Sequence, residues 1–226
     1  MSESGQSDRQ RMSIVALGSF NPAIFHPAWF ARHGLIRDAE ADADASKVKV
    51  VSPEITLVES EWFLLQVTPE RFSLETRDPR KFLPLRDLAT ATFGILEHTP
   101  VRAFGFNSFL YFPFVTADAW DHFGKHFAPK TPWSGILDAP SLQLLTIHGT
   151  RSGSLADRIQ ISIQPTATNG VVISINEHYE VDPSDIQDES PSAIAFANAL
   201  EKEWDCFLEY SRTVGDHLLN EGKLPA

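Results

Sequence analysis

Ala103-Phe104-Gly105-Phe106-Asn107-Ser108-Phe109-Leu110-Tyr111-Phe112 is the stretch on which the fold turns. Its density of aromatic residues suits a pleated, half-buried surface, so it predicts a strand. An earlier stretch, Val15-Ala16-Leu17-Gly18-Ser19-Phe20-Asn21, echoes it. Each is followed by a helix-like segment with a tryptophan, Ala28-Trp29-Phe30 in one case and Ala119-Trp120-Asp121 in the other. The echo predicts two copies of one unit, the second beginning at 101.

Working outward, residues 1–11 are rich in Ser, Gln and charge and predict a disordered tail. An apolar run over 12–17 predicts a buried strand closed by Gly18. Asn21-Pro22 offers a cap and a first-turn proline, Pro27 makes the following helix short or kinked, and His33-Gly34 stops it. Residues 37–47, alternating Ala with acid, read as a solvated acidic loop. Three strands are expected over 48–58, 62–68 and 71–76. The first of them is interrupted at Pro53, which points to a bulge or an edge. A helix over 83–98 ends at Thr99-Pro100.

The second unit repeats the order. A strand over 101–112, a helix over 117–127 and a loop over 130–140 lead to strands near 142–147, 158–164 and 171–176. In the last two, Ile159, Ile161, Ile163, Val171, Ile173 and Ile175 face one way, while Gln160, Ser162, Gln164, Ser174 and Asn176 face the other. An acidic loop over 182–189 precedes a long helix over 191–219. The expected class is α+β: two pseudo-repeats of strand-helix-three strands-helix, 12–100 and 101–226, forming a largely antiparallel sheet with helices on one face. Its other face would be an open binding surface.

The ordering resembles, in topology, duplicated saddle-shaped folds such as that of the TATA-binding protein, although no motif of that protein is present. A second resemblance rests on Gln66-Val67-Thr68-Pro69-Glu70-Arg71-Phe72-Ser73-Leu74, on Phe104-Gly105-Phe106-Asn107 and on Ile173-Ser174-Ile175-Asn176-Glu177-His178-Tyr179. These look like the hairpin, the Asn-containing strand and the second-half strand of an uncharacterised, sporadically distributed bacterial family of duplicated α+β proteins. The likeness spans roughly 50 to 220 and implies a fold without an activity. Where that family has Arg and Tyr before the Asn, this chain has Gly105 and Phe106.

Composition narrows the function. Of 226 residues, 42% are hydrophobic, enough for a sizeable core, and the formal net charge is −11. That balance disfavours nucleic acid and anionic membranes, whose phosphates require Lys and Arg. A lone cysteine, Cys206, excludes an internal disulfide and fits a reducing cytoplasm, and no apolar run is long enough to span a bilayer.

No catalytic constellation emerges. Gly149-Thr150-Arg151-Ser152-Gly153-Ser154 lacks the Gly-Lys-Ser/Thr of a phosphate loop and reads as a flexible connection, and no cofactor is expected. Nothing basic adjoins Cys206 in sequence to make it a nucleophile. His122 and His126, four apart on a predicted helix with Asp118 one turn before, are the candidate metal ligands. Asn107, Asn176 and His178 are the candidate binding residues. In Asn176-Glu177-His178-Tyr179 neighbours alternate faces, so the row reads as surface polars at a strand end.

The functional expectation is therefore a non-enzymatic protein-binding or assembly protein. It would hold a protein partner or a second copy through the open sheet face or an aromatic patch. The alternative is an enzyme or small-ligand sensor with its site between the two repeats.

Overall fold

In a computed structural model, which describes residues 10–45, 48–181 and 192–223, the aromatic stretch lies within a thirteen-residue strand beside the centre of one large sheet. The strands are β1 (Gln10–Gly18), β2 (Val48–Val51), β3 (Thr56–Glu59), β4 (Leu64–Thr68), β5 (Arg71–Thr76), β6 (Val101–Pro113), β7 (Leu145–Gly149), β8 (Arg158–Thr166) and β9 (Gly170–Glu180). Their order across the sheet is β2-β3-β4-β5-β1-β6-β9-β8-β7, and every pairing is antiparallel. Five α-helices are described: α1 (Pro27–Arg32), α2 (Asp38–Ala45), α3 (Phe82–Ile95), α4 (Ala117–Phe127) and α5 (Ser192–Glu221). The fold class is α+β.

Register sorts the two faces. Ile14 lies between Leu74 and Phe106, and Ala16 between Phe72 and Phe104, so these residues share a face. On β9 the same face takes Val171, Ile173 and Ile175, and on β8 Ile159 and Ile163, all of them buried. The long helices α3 and α5 pack on this side and against each other. Phe196, Leu200, Trp204, Phe207 and Val214 recur at helical spacing along the buried stripe of α5, and Leu85, Leu88, Ala89, Thr92 and Phe93 along that of α3. Phe93 stands edge-on to both Phe72 and Phe196, so one aromatic column joins sheet and helices.

Several expectations change against this frame. Residues 37–47 were predicted to be a solvated loop, yet Asp38–Ala45 is helical. Alanine at every second position has the best helix propensity, Asp38 and Glu40 suit the positive end of the helix, and Ala41 is buried against the core. Residues 48–58 form two strands rather than one, β2 and β3, turning at Ser52, Pro53 and Glu54, with β2 the sheet edge. Strand pairing starts earlier than expected, because Gln10 and Arg11 pair with Leu110 and Phe109. The remainder of the expected tail, and the acidic loop over 182–189, lie outside the described residues. The second strand of the second half sits at Leu145–Gly149, three residues later than its expected start.

Other local expectations hold. Asn21 Oδ1 accepts a hydrogen bond from the Ala23 amide at 3.2 Å and caps a single 3-10 turn, Pro22–Ile24. Pro27 opens the separate helix α1, capped by His26, and Gly34, with φ of +69°, follows its end. The turn at Pro22 is tied to the sheet by Thr56, fully buried on β3, whose hydroxyl donates to the Pro22 carbonyl at 2.7 Å. Thr56→Val keeps the shape and removes that donor. It is expected to lower the unfolding free energy by about 1 kcal/mol, seen as a lower urea midpoint at unchanged slope.

Candidate functional site

Among the described residues, neither of the long helices α3 and α5 packs on the opposite face of the sheet. Val15 and Leu17 of β1, Asn107 of β6, and Ser174, Asn176 and His178 of β9 are half-buried on it. Across the middle strands the register lines up Glu75, Ser13, Asn107, Asn176 and Gln160 in one row. The adjacent row runs Ser73, Val15, Gly105, His178 and Arg158.

Where the rows cross β1, β6 and β9 there is a depression of about 240 Å³, lined by Val15, Leu17, Arg71, Asn107, Asn176 and His178 among others. Gly105 leaves room for it. A Cβ there would stand 2.8 Å from the Glu177 carbonyl oxygen and 3.2 Å from Asn176 Nδ2. The three residues expected to bind, Asn107, Asn176 and His178, thus meet in one place.

Asn107 and Asn176 are register partners, and Asn176 Nδ2 donates to Asn107 Oδ1 at 2.8 Å. This bond fixes both amides and leaves the Asn107 NH₂ and the Asn176 carbonyl for other partners. His178 Nε2 lies 2.7 Å from Glu180 Oε1. Arg71 completes the group. Its side of β5 was legible in the alternation, but only the pairings of β5 with β1 and of β1 with β6 bring it beside the asparagines.

Charge on this face is largely cancelled pairwise. Arg11 lies 3.5 Å from Glu75, and Lys49 lies 3.4 Å from Glu59. Arg71 and Arg158 are exposed, and neither has an ion-pair partner among the described residues.

Glu177 and Tyr179 are not the surface polars that the sequence suggested. Their parity turns them to the helix face, where Glu177 is 0% and Tyr179 4% exposed. The Tyr179 hydroxyl donates to Glu177 Oε2 at 2.8 Å, and Arg151 Nη2 stands 3.0 Å from Glu177 Oε1. That second approach is an ion contact without hydrogen-bond alignment, so Arg151 Nε and Glu177 Oε1 both lack a hydrogen bond among the described residues. Burial pushes the Glu177 carboxyl above the ordinary carboxylate range, against the pull of Tyr179 and Arg151. Burial, reinforced by Glu177, also pushes the Tyr179 phenol up.

Arg151 comes from the expected flexible connection. It lies over the Tyr210 ring and places Nη1 3.8 Å from Cys206 Sγ, so the exposed cysteine does have a basic neighbour in space.

His122 and His126 occupy successive turns of α4, away from the depression. Among the described residues no group of three or more His, Cys, Asp or Glu side chains is placed to hold a metal ion. Asp121, immediately before His122 in sequence, is held by Lys125 and Lys130.

A third feature is apolar. Trp133, Ile136, Leu137, Leu144 and Ile147 are exposed beside the edge strand β7, Ile136 at 72% and Ile147 at 58%. A cavity of about 450 Å³ opens there between Trp133, Leu137 and Leu142. No described helix is long and apolar enough to cross a membrane. No protein-family model matches the chain, and neither does any curated protein.

Proposed function

We propose that this chain is a non-enzymatic protein-binding or assembly protein that holds its partner on the open face of the sheet. The observation that carries the reading is the helix-free face itself. It presents rows of neutral Ser, Asn and Gln side chains among charged residues of which Arg11 and Lys49 are paired with carboxylates, in a chain of net charge −11. Such a surface offers hydrogen-bond donors and acceptors that a protein partner can match, and it carries few unpaired charges to desolvate. It is a poor counterpart for nucleic acid, since Arg11 and Lys49 are already held by carboxylates.

Two pseudo-repeats are part of the proposal. What supports them is the strand order: β5, β4 and β3 lie outward from β1 as β9, β8 and β7 lie outward from β6, leaving β2 as an addition. Kinship with the uncharacterised bacterial family is proposed on the same footing, as is a cytoplasmic setting, which the free Cys206 suits. The exposed apolar side chains along β7 favour self-association as a further mode of assembly.

The alternative, a small-ligand sensor or enzyme with its site between the halves, is favoured by one observation. The depression straddles β1 and β6, where the halves meet. Its volume of about 240 Å³ nevertheless falls below the roughly 300–1,000 Å³ usual for small-molecule sites.

The test is purification of the tagged chain from its own host, in three forms. Ser174→Arg plants a bulky charge in the open face, and Glu201→Arg does so on the exposed side of α5. The exposed Glu201 is expected to tolerate the change within about 0.5 kcal/mol, and a melting curve of Ser174→Arg confirms that the half-buried site keeps the fold. A stoichiometric protein partner is expected with the wild type and with Glu201→Arg, and not with Ser174→Arg. Retention of the same partner by Ser174→Arg, or no partner with any form, overturns the reading.

A further inference from the structure

We infer that the depression over Gly105 is a receptor for one carboxylate, carried by an acidic side chain of the protein partner. The inference rests on the proposed protein-binding role of this face and adds the chemistry of what binds there.

The argument starts from Arg71. A guanidinium presents N–H groups in a planar fork that matches a carboxylate. On this face Arg11 has Glu75, Lys49 has Glu59 and His178 has Glu180. Arg71 has no such partner among the described residues, and it is the cation that lines the depression.

Beside it the Asn107 Oδ1 already accepts from Asn176 Nδ2, while the Asn107 NH₂ donates in no side-chain hydrogen bond among the described residues. The polar groups bordering the cavity therefore include a guanidinium with no carboxylate partner among the described residues and the Asn107 NH₂, both of which seek an acceptor, beside the Asn176 carbonyl, which seeks a donor. Val15 and Leu17 supply apolar wall for a short aliphatic stem.

Charge complementarity agrees. Arg158, also unpaired among the described residues, lies four strands from Arg71, about 19 Å at ordinary strand spacing. Arg71 and Arg158 are thus cations of this face without a carboxylate partner among the described residues, on an otherwise acidic molecule, with Glu180 beside His178 as a nearby negative charge. An acidic segment is repelled elsewhere and drawn here. The volume is too small for a typical metabolite, and the depression lies within a broad face rather than at the end of a groove. A side chain dipping in from a segment that crosses the sheet fits better than a chain terminus.

The experiment follows side-chain N–H resonances of the full chain by NMR during titration with the peptide Ac-Gly-Gly-Glu-Gly-Gly-amide. Two comparison peptides carry Gln in place of Glu, or only glycine with a free C-terminal carboxylate. Saturable shifts of the Asn107 and Asn176 Nδ2 and Arg71 Nε signals are expected with the Glu peptide. Affinity should fall about tenfold or more for the Gln peptide, and equally for the Glu peptide on an Arg71→Gln variant.

Equal binding of the Gln peptide, no effect of Arg71→Gln, or equal or better binding of the free-terminus peptide overturns the inference. The Gln comparison uses wild-type protein and so does not depend on the variant's folding. If the peptides fail while Ser174→Arg still loses the partner, the carboxylate site falls and the protein-binding face stands. If the Glu peptide binds as expected but no partner depends on the open face, the site stands and the proposed function falls.

Discussion

Arg151→Met is expected to destabilise the protein by about 3–5 kcal/mol at pH 7.5, and by much less at pH 4.5. The cost does not come from losing a strong bond, since Arg151 Nη2 only makes an ion contact with Glu177 Oε1 at 3.0 Å. It comes from what remains. Glu177 is 0% exposed, and among the described residues its charge would then be countered only by the Tyr179 hydroxyl.

The sign with pH follows from the raised pKa of this carboxyl in the folded state. A group whose pKa is raised on folding contributes stability that is full below its unfolded value, and that is lost as pH rises through the folded value. Removing Arg151 raises the folded value further, so the penalty appears at neutral pH and fades as the carboxylate range is entered from above. Urea unfolding of wild type and variant at the two pH values measures it. Adding Glu177→Gln to Arg151→Met should restore most of the loss at pH 7.5, because no buried charge is then left unpaired. A loss that is the same at both pH values would mean that Arg151 acts by packing on Tyr210 alone.

This pair also marks the limit of what the sequence could say. Period-two alternation placed Ile159, Ile161, Ile163, Val171, Ile173 and Ile175 on one face correctly, because each choice is local to its strand. The same parity set Asn176 and His178 together on the other face. It could not add Asn107, whose position opposite Asn176 depends on the register of β6 with β9, or Arg71, which depends on two further pairings.

Glu177 read as a surface residue because glutamate usually is one. Its charge is offset by an arginine twenty-six positions earlier, in a connection with no periodicity to reveal which way it turns. Helix α2 was missed for the opposite reason. Its acid-and-alanine composition also marks solvated linkers, and only the burial of Ala41 against the core distinguishes the two. The end of β7 lies two residues beyond its expected place because His148 and Gly149 lack strand character, and pairing with Gln160 and Ile159 supplies what propensity does not.

Trp204→Ala is expected to lower stability by about 3–5 kcal/mol and the melting temperature by about 10 °C, in a single transition seen in every part of the chain. Trp204 is fully buried on α5, edge-on to Phe106 at 5.6 Å and beside Phe207, so its removal leaves a cavity between helix and sheet. Its Nε1 has no hydrogen-bond partner among the described residues, so Trp204→Phe, which keeps most of the volume, should cost much less.

The spread of the effect matters more than its size. The sequence divides the chain at 100, but α5, from the C-terminal part, packs on α3 from the N-terminal part, and β1 pairs with β6 along nine register positions across that division. Neither part closes its core or satisfies its central strand without the other. Hydrogen exchange followed by mass spectrometry should therefore find β4–β5 and β8–β9 losing protection together in Trp204→Ala. Protection kept in β4–β5 while β8–β9 opens would mean that the two parts fold separately. The depression between β1 and β6 would then be a contact between domains able to part, rather than a fixed feature of one sheet.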